Sequence, residues 1–280
     1  MREFHLRILA LPVLLLVASM SQTASAQTAC KSPGPDCVVV GEWNIDLGLG
    51  LGERSNPVRG NADIPLVLVP QISYYGERFF LENLELGCTL HERDADSFSL
   101  IATPGYDRVF FHRNDLQNVL VSLPFGTGST GPVAPQEVQV PVRSRHTTYL
   151  IGPEWTFERG PLIGQLNALY EVTGRHKGYE VRGALAAPII QSHGSLVASG
   201  GFTWKSDELV DYYYGITGVY AAGAALNPFL KLGYSLPLAE RWTLGAFVHY
   251  EWLDDAVADS PIVTQDAVVT VFAGVVFKIL

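Results

Sequence analysis

The side chains that could carry out chemistry are spread thinly along this chain of 280 residues. Seven histidines occur, and none stands in a recognisable local Ser-His-Asp or Cys-His pattern. Ser195 follows His193 and Gly194, but the G-x-S-x-G sequence of a nucleophile elbow is absent. We interpret Ser195 as a solvated turn residue, and we expect no catalytic residue and no enzyme activity.

The carboxylates and cysteines give no metal-binding pattern. Glu251, Asp254 and Asp255 form an acidic cluster whose oxygen atoms could bind Ca²⁺, but the spacing of a calcium-binding loop is missing. A solvated rim is the simpler interpretation of this cluster. No cysteine spacing matches a zinc site, and Cys88 lies in a strand-like pattern as a small apolar residue. We expect neither a metal nor another cofactor.

A further set of charged residues alternates with apolar residues. In residues 242–252 every second side chain, starting at Trp242, is apolar or aromatic, and those between are mostly polar or small. Because a strand directs successive side chains to opposite faces, this pattern predicts a strand with one apolar and one polar face. The charged residues expected on polar, inward faces are Glu154, Glu171, Glu180, Arg182, Lys231, His249 and Glu251. They could line a pore, or they could form salt bridges that fill a narrow barrel.

The elements that would position these charges are strands of about ten residues, the length that crosses a membrane when tilted. Residues 41–52 alternate most regularly, and residues 79–90 and the tyrosine-rich residues 211–218 are each expected to form one strand. Residues 63–75 contain two prolines, which indicate an edge or a bulge. The pattern predicts an all-β, antiparallel transmembrane barrel over residues 41–280, with about 12 strands and a range of 10–14.

Residues 109–143 break this alternation. Counting strands from residue 41 puts the segment on the periplasmic side, where barrel turns are normally short. Either the strand count is wrong by one at this point or the segment is a periplasmic feature.

Large aromatic side chains lie near the ends of the apolar faces. Such rings favour the boundary between lipid headgroups and hydrocarbon. The residues expected at the lipid interface are Trp43, Trp155, Tyr170, Trp204, Tyr234, Trp242, Tyr250 and Trp252.

The first 26 residues have the three parts of a secretory signal peptide. Arg2 and Arg7 are basic, residues 8–17 are mainly apolar, and Ala24-Ser25-Ala26 is a cleavage pattern. Residues 27–40 then form an expected periplasmic N-terminal tail. Within it, Cys30 and Cys37 could form a disulfide or remain two free thiols.

Charge and hydropathy narrow the classes of partner. The chain carries a net charge of −9, and an acidic chain does not suit nucleic acid, which needs a basic surface. Beyond the leader there is no other run of 18 apolar residues, so we expect the chain to cross the membrane with strands and to contact outer-membrane lipid.

Several ordered segments resemble the MipA/OmpV family of Gram-negative outer-membrane proteins. The segments that carry the resemblance are residues 43–52, 70–80, 213–215, 232–234, 242–263 and 274–277. The resemblance implies an outer-membrane barrel that holds a murein lytic transglycosylase and a murein synthase near the membrane.

Three hypotheses for the function remain at this point. A scaffold predicts a plugged lumen and a periplasmic surface built from residues 27–40 and 109–143. A small-solute diffusion channel predicts a continuous water path along the inward charges. An enzyme acting on lipid or peptide predicts converging histidine and carboxylate side chains.

Overall fold

A computed structural model describes residues 40–93, 95–111, 145–191 and 194–280, and within them the chain is a closed antiparallel β-barrel of twelve strands. This confirms the predicted fold class. The strands are β1 (Trp43–Arg54), β2 (Ile64–Tyr75), β3 (Phe79–Glu82), β4 (Glu85–Arg93), β5 (Asp96–Pro104), β6 (Tyr149–Arg159), β7 (Leu162–Glu171), β8 (Tyr179–Ile190), β9 (Ser195–Lys205), β10 (Ala225–Ala239), β11 (Trp242–Trp252) and β12 (Ala267–Lys278). The helices are a 3-10 helix (Tyr106–Phe110), α1 (Asp207–Tyr214) and α2 (Asp255–Ala258). No helix in the described part of the chain is long and apolar enough to cross a membrane.

The barrel wall follows the alternation of its strands. On β1, Leu49 and Leu51 point outward and are exposed, while the glycines that alternate with the leucines face inward. A Cβ atom on Gly50 would lie 2.4 Å from the carbonyl oxygen of Ala273 and 2.6 Å from the ring of Phe272. The missing side chain therefore leaves room for the aromatic ring that β12 sends into the lumen.

The two prolines of β2 lie at the irregular positions that their chemistry predicts. The pairing of β1 with β2 shifts between Leu49 and Gly52, close to Pro65. On its other side β2 pairs with β3 only at Ser73, Tyr74 and Tyr75, so Pro70 lies on a length of strand that has no partner strand on that side. Proline is tolerated at such bulges and edges because it lacks a backbone N–H.

Residues 79–90 do not form a single strand, which corrects the sequence prediction. They fold into β3 and the first part of β4, separated by a turn at Asn83, whose backbone φ is 53°. Asn83 Oδ1 accepts a hydrogen bond from the Ile72 amide at 3.1 Å. An asparagine side chain that bonds the backbone tolerates this left-handed conformation, so the chain reverses here.

Residues 211–218 are also not a strand, because residues 207–214 form α1. The buried side chains of α1 are Leu209, Val210, Tyr213 and Tyr214, whose spacing is helical and not alternating. Asp207 and Glu208 lie in the first turn, where acidic side chains favour the helix dipole. The predicted total of about twelve strands agrees with the structure because two errors cancelled: residues 79–90 belong to two strands and not one, and residues 211–218 form no strand.

The two ends of the barrel differ. At the hairpin end, which also holds Val40, the strand connections are the short residues 76–78, 94–95, 160–161, 191–194 and 240–241. At the loop end the described connecting residues are 55–63, 105–111, 145–148, 172–178, 206–224 and 253–266.

The described residues that flank the segment 109–143 lie at the loop end. Asn56 and Asn61, in the loop after β1, both donate to the carbonyl oxygen of Phe110. Among the described residues at the opposite end, the Gly41 amide donates to the Tyr75 carbonyl. The prediction of a periplasmic surface built from residues 27–40 and 109–143 falls mostly outside the described residues and stays a prediction. Residues 1–39, with the signal peptide and the pair Cys30 and Cys37, and residues 112–144 lie outside the described residues.

Candidate functional site

The loop end of the barrel is filled by a plug, which consists of residues 106–111, helix α1 and residues 253–263. Its apolar side chains pack against inward-facing residues near the loop end of β5, β6 and β7. The buried cluster contains Ile101, Leu150, Leu169, Leu209, Val210, Tyr213, Tyr214, Ala222, Ala225, Val257, Ile262 and Val263. Burial of this much apolar surface holds the plug in the mouth of the barrel.

A buried ionic contact fixes the plug to the wall. Asp107 Oδ1 in the 3-10 helix accepts hydrogen bonds from Lys205 Nζ at 2.7 Å and from Tyr214 OH at 2.8 Å. The three side chains join the 3-10 helix, the end of β9 and α1. Because all three are buried, each depends on the others for its hydrogen bonds.

The C-terminal carbonyl groups of α1 are bound by side chains from outside the helix. Arg145 Nε donates to the Tyr213 carbonyl at 2.9 Å, and Ser260 Oγ donates to the Tyr214 carbonyl at 2.6 Å. Burial raises the pKa of Tyr213 and of Tyr214, so both hydroxyls stay protonated and able to donate.

Beneath the plug the barrel encloses a polar chamber of about 380 Å³. Its charged and polar lining residues are Arg54, Glu82, Glu85, Asp107, Gln165, Asn167, Glu180, Arg182, Lys205, His249 and Glu251. Five of these are carboxylates and three are permanent cations. The chamber therefore carries an excess of negative charge.

The chamber contains four of the seven charged residues that the sequence places inward. Glu180, Arg182, His249 and Glu251 line it directly. Arg182 Nε forms an ion pair with Glu180, and Asn227 donates to Glu251 at 3.1 Å.

The other three predicted residues have different surroundings. Glu154 lies behind Gln165 and Asn167, which both donate to its carboxylate. Lys231 is buried, with its Nζ atom 5.5 Å from the centre of the Phe247 ring. Glu171 is not among the residues that line the chamber.

Glu171 instead organises the loop between β7 and β8. Its carboxylate accepts hydrogen bonds from the backbone amides of Thr173, Arg175, His176 and Lys177 at 2.6–3.2 Å. The Thr173 hydroxyl also donates to it. Converging amides of this kind bind a carboxylate strongly.

His176, at the tip of this loop, is buried against α1. Its ring lies 5.5 Å from the ring of Tyr212, and its Nδ1 atom accepts a hydrogen bond from the Gly178 amide at 3.0 Å. Burial lowers the pKa of His176, although Glu171 and other carboxylates act in the opposite direction. The neutral ring is the form that can accept this hydrogen bond.

Sequence reasoning missed Arg54, Glu82, Glu85, Asp107 and Lys205. Arg54 lies two residues beyond the predicted strand 41–52 on its inward face, and Lys205 is the last residue of the predicted strand 195–205, of which only the outward face was traced. In the sequence, the alternation of residues 79–90 slips near Glu82 and Asn83, but such a slip does not show which way the side chains of Glu82 and Glu85 point. Asp107 lies in a helix that alternation cannot detect.

The predicted interface aromatics form two groups on the outer surface. Trp43, Trp155, Tyr234 and Trp242 lie toward the hairpin end, and Tyr170, Trp204, Tyr250 and Trp252 toward the loop end. Neighbouring rings pair, as in Trp242 with Phe277 at 4.7 Å and Tyr250 with Trp252 at 4.6 Å. Between the groups the outward surface is largely exposed aliphatic side chains.

The acidic cluster at residues 251–255 has a local structural role. Asp254 Oδ1 accepts from the Ala256 amide at the start of α2, and its Oδ2 accepts from the Leu226 amide at 3.0 Å. Within the described residues, no group of three or more His, Cys, Asp or Glu side chains could hold a metal ion.

Comparison with known proteins identifies the family. The family described as MltA-interacting protein MipA matches residues 47–279, which is most of the barrel. The chain belongs to the MipA family. This confirms the resemblance found in the sequence.

Two relatives of the MipA-family chain agree with this assignment. It is 22% identical over 243 residues to "Putative outer membrane protein YiaT" of Escherichia coli strain K12, covering 84% of this chain and 90% of the relative. It is 23% identical over 246 residues to the "MltA-interacting protein" of the same strain, covering 85% and 91%. These names and the barrel make the chain an outer-membrane protein, as predicted, and neither name describes an enzyme.

Proposed function

We propose that this protein is a non-conducting anchor in the outer membrane. At the periplasmic face it holds two murein-processing enzymes, a lytic transglycosylase and a murein synthase. The observation that carries the proposal is the plug, since a barrel with its loop end filled by an apolar cluster suits an anchor better than a pore. The name of the relative that is called an MltA-interacting protein supports this partner class.

The hairpin end is the surface for the partner. Outer-membrane barrels have short turns on the periplasmic side and longer loops outside, which supports this orientation. The charged residues near these turns are Glu77, Arg78, Arg93, Glu158, Arg159, Glu240 and Arg241. Opposite charges close together on short, rigid turns can fix the orientation of a partner.

A binding experiment tests the contact. A periplasmic lytic transglycosylase is passed over the immobilised, refolded protein, which is compared with the double variant Glu240→Lys, Arg241→Glu and with the control Glu208→Lys in α1 at the other end. We expect the double variant to lower the affinity about tenfold and the control to leave it unchanged. Binding that is absent in the unaltered protein, or that is lost only in the control, contradicts the proposal.

A second candidate, a small-solute diffusion channel, is favoured by the charged chamber. Planar-bilayer recordings separate the two functions. The anchor predicts a silent membrane, and stable openings whose ion selectivity shifts in Glu85→Gln and Arg54→Gln, both of which line the chamber, would support the channel. Glu171→Gln serves as the control, since Glu171 binds a loop and does not line the chamber.

A further inference from the structure

The chamber has two walls of opposite charge. Glu82 on β3 and Glu85 on β4 form the acidic wall. Glu154 on β6 lies behind Gln165 and Asn167, and both Glu154 and Glu82 are close enough to Glu85 for the carboxylates to repel one another.

Arg54 on β1 and His249 on β11 form the basic wall, and Lys231 on β10 lies behind it against Phe247; Arg54 repels both of these side chains. Glu251, also on β11, is the carboxylate that lies near Arg54 on this side. In the closed strand order these sets occupy separate arcs, divided by β2 on one side and by β7 to β9 on the other.

The remaining charges of the chamber already have partners. Lys205 binds Asp107, and Arg182 binds Glu180. The carboxylates of the acidic wall form no ion pair with another described residue. The Thr103 hydroxyl donates to Glu85, but a carboxylate offers about four acceptor sites, so Glu82 and Glu85 keep acceptor capacity that the protein itself does not use.

Two buried polar atoms in the same chamber also lack partners. Asn167 is 4% exposed, and its Oδ1 atom accepts no hydrogen bond within the described part of the chain. Arg182 Nη2 likewise donates none. Because buried polar groups are almost always satisfied, an unused acceptor and an unused donor in one chamber point to a bound molecule that supplies both kinds of group.

We propose that the chamber binds a small zwitterionic solute about the size of a dipeptide. Its ammonium group contacts Glu82, Glu85 and the Asn167 carbonyl oxygen. Its carboxylate contacts the guanidinium of Arg54, which holds this anion in the usual two-pronged geometry. Its peptide carbonyl oxygen accepts a hydrogen bond from Arg182 Nη2, the unused donor. A volume of about 380 Å³ falls within the range of small-molecule pockets.

A single metal ion does not fit this arrangement, since no described group of three ligating side chains converges on one point. The site does not depend on the periplasmic partner proposed above.

Calorimetric titration of the refolded protein with three probes tests the site. Glycylglycine has both charges, N-acetylglycylglycine lacks the ammonium, and glycylglycinamide lacks the carboxylate. We expect glycylglycine to bind, and each derivative to bind at least about tenfold more weakly, because each loses one charged contact. No detectable binding of glycylglycine, or equal affinity for all three probes, overturns the proposal.

Two chamber variants assign the ends of the solute and control for misfolding. Glu85→Gln should lower the affinity for glycylglycine and glycylglycinamide and leave that for N-acetylglycylglycine unchanged. Arg54→Gln should lower the affinity for glycylglycine and N-acetylglycylglycine and leave that for glycylglycinamide unchanged. The exposed Glu158→Gln, at the hairpin end, should change nothing. A uniform loss of affinity for every probe in both chamber variants, or no loss in either, contradicts the assignment.

Discussion

Asp107 is the side chain that joins the plug to the barrel. Its Oδ1 atom binds both Lys205 and Tyr214, and all three residues are buried. A buried ion pair of this type adds little stability compared with an apolar pair, but removing one partner leaves a charge without compensation. The contact therefore fixes which arrangement the plug adopts.

Replacing Asp107 should destabilise the barrel strongly. We expect Asp107→Ala to lower the free energy of unfolding by about 3 kcal/mol, because the Lys205 ammonium then stays buried with weaker compensation. Urea titration in detergent micelles measures this. The matched control is Asp96→Ala at the hairpin end, whose solvent-exposed ion pair with Arg159 should contribute far less to stability than the buried contact of Asp107. Equal losses in the two variants would contradict the role given to Asp107.

His176 should make stability depend on pH. Burial keeps its folded-state pKa below the unfolded value, so its contribution is present at neutral pH and is lost as pH falls from the unfolded pKa of about 6.5 toward the folded pKa. Glu171, Asp107, Glu180 and Glu208 surround it and limit the loss. Protonation also removes the acceptor that the Gly178 amide uses.

The pH effect can be isolated with His176→Gln. Between pH 7 and pH 5 the unfolding free energy of the unaltered protein should fall more steeply than that of the variant, by at most about 1.4 kcal/mol per pH unit. Parallel urea titrations at several pH values measure the difference. Identical slopes would show that His176 does not titrate differently in the folded state.

At the scale of elements, the β3–β4 hairpin is the weakest part of the wall. β2 and β3 pair through three residues, whereas β1 and β12 pair through nine. Fewer cross-strand hydrogen bonds and a short strand lower the free energy of local opening.

Hydrogen exchange should reveal this seam between β2 and β3. We expect the amides of residues 79–88 to exchange at least about tenfold faster than those of residues 242–252 in β11, because local opening breaks only a few bonds. Mass spectrometry of peptic fragments provides the measurement. Equal protection of the two segments would mean that the hairpin opens only with the whole barrel.

The alternation of apolar and polar residues predicted most of the strands that cross the membrane, whose side chains face lipid on one side and the lumen on the other. It missed the helices, which do not cross the membrane. Strands such as β1 and β11 were found because lipid on one side and the lumen on the other force a period of two. Helix α1 was mistaken for a strand because Tyr212, Tyr213 and Tyr214 are typical strand residues in isolation. Their burial in the plug depends on β5, β6 and β7, which sequence alone does not place beside them.

The candidate site was predicted in part for the same reason. Glu180 and Arg182 follow from the inward face of a single strand. The division of the chamber into two walls of opposite charge depends on strand order around the barrel, which brings Glu85 and His249 to one space from distant parts of the sequence.

At the scale of the whole molecule, the two ends predict an orientation that can be measured. In a background without the native cysteines, Val219→Cys lies in an exposed loop at the loop end and Glu240→Cys in a turn at the hairpin end. We expect a membrane-impermeant maleimide to label the first in whole cells, and the second only after the outer membrane is disrupted. The reverse pattern would invert the orientation and remove the basis for a partner at the hairpin end.

The narrow seam between β2 and β3 also has a consequence for the order of assembly. A barrel is usually pictured as closing where its first and last strands meet, and here that joint, β1 with β12, has three times as many residue pairs as the seam. The β1–β2 hairpin can therefore attach to β12 first. The result is a curved, open sheet of all twelve strands whose two free edges are β2 and β3. The last step of closure is then the zipping of three residue pairs at β3, and until it occurs the free edge of β2 is shielded from other chains mainly by its own prolines.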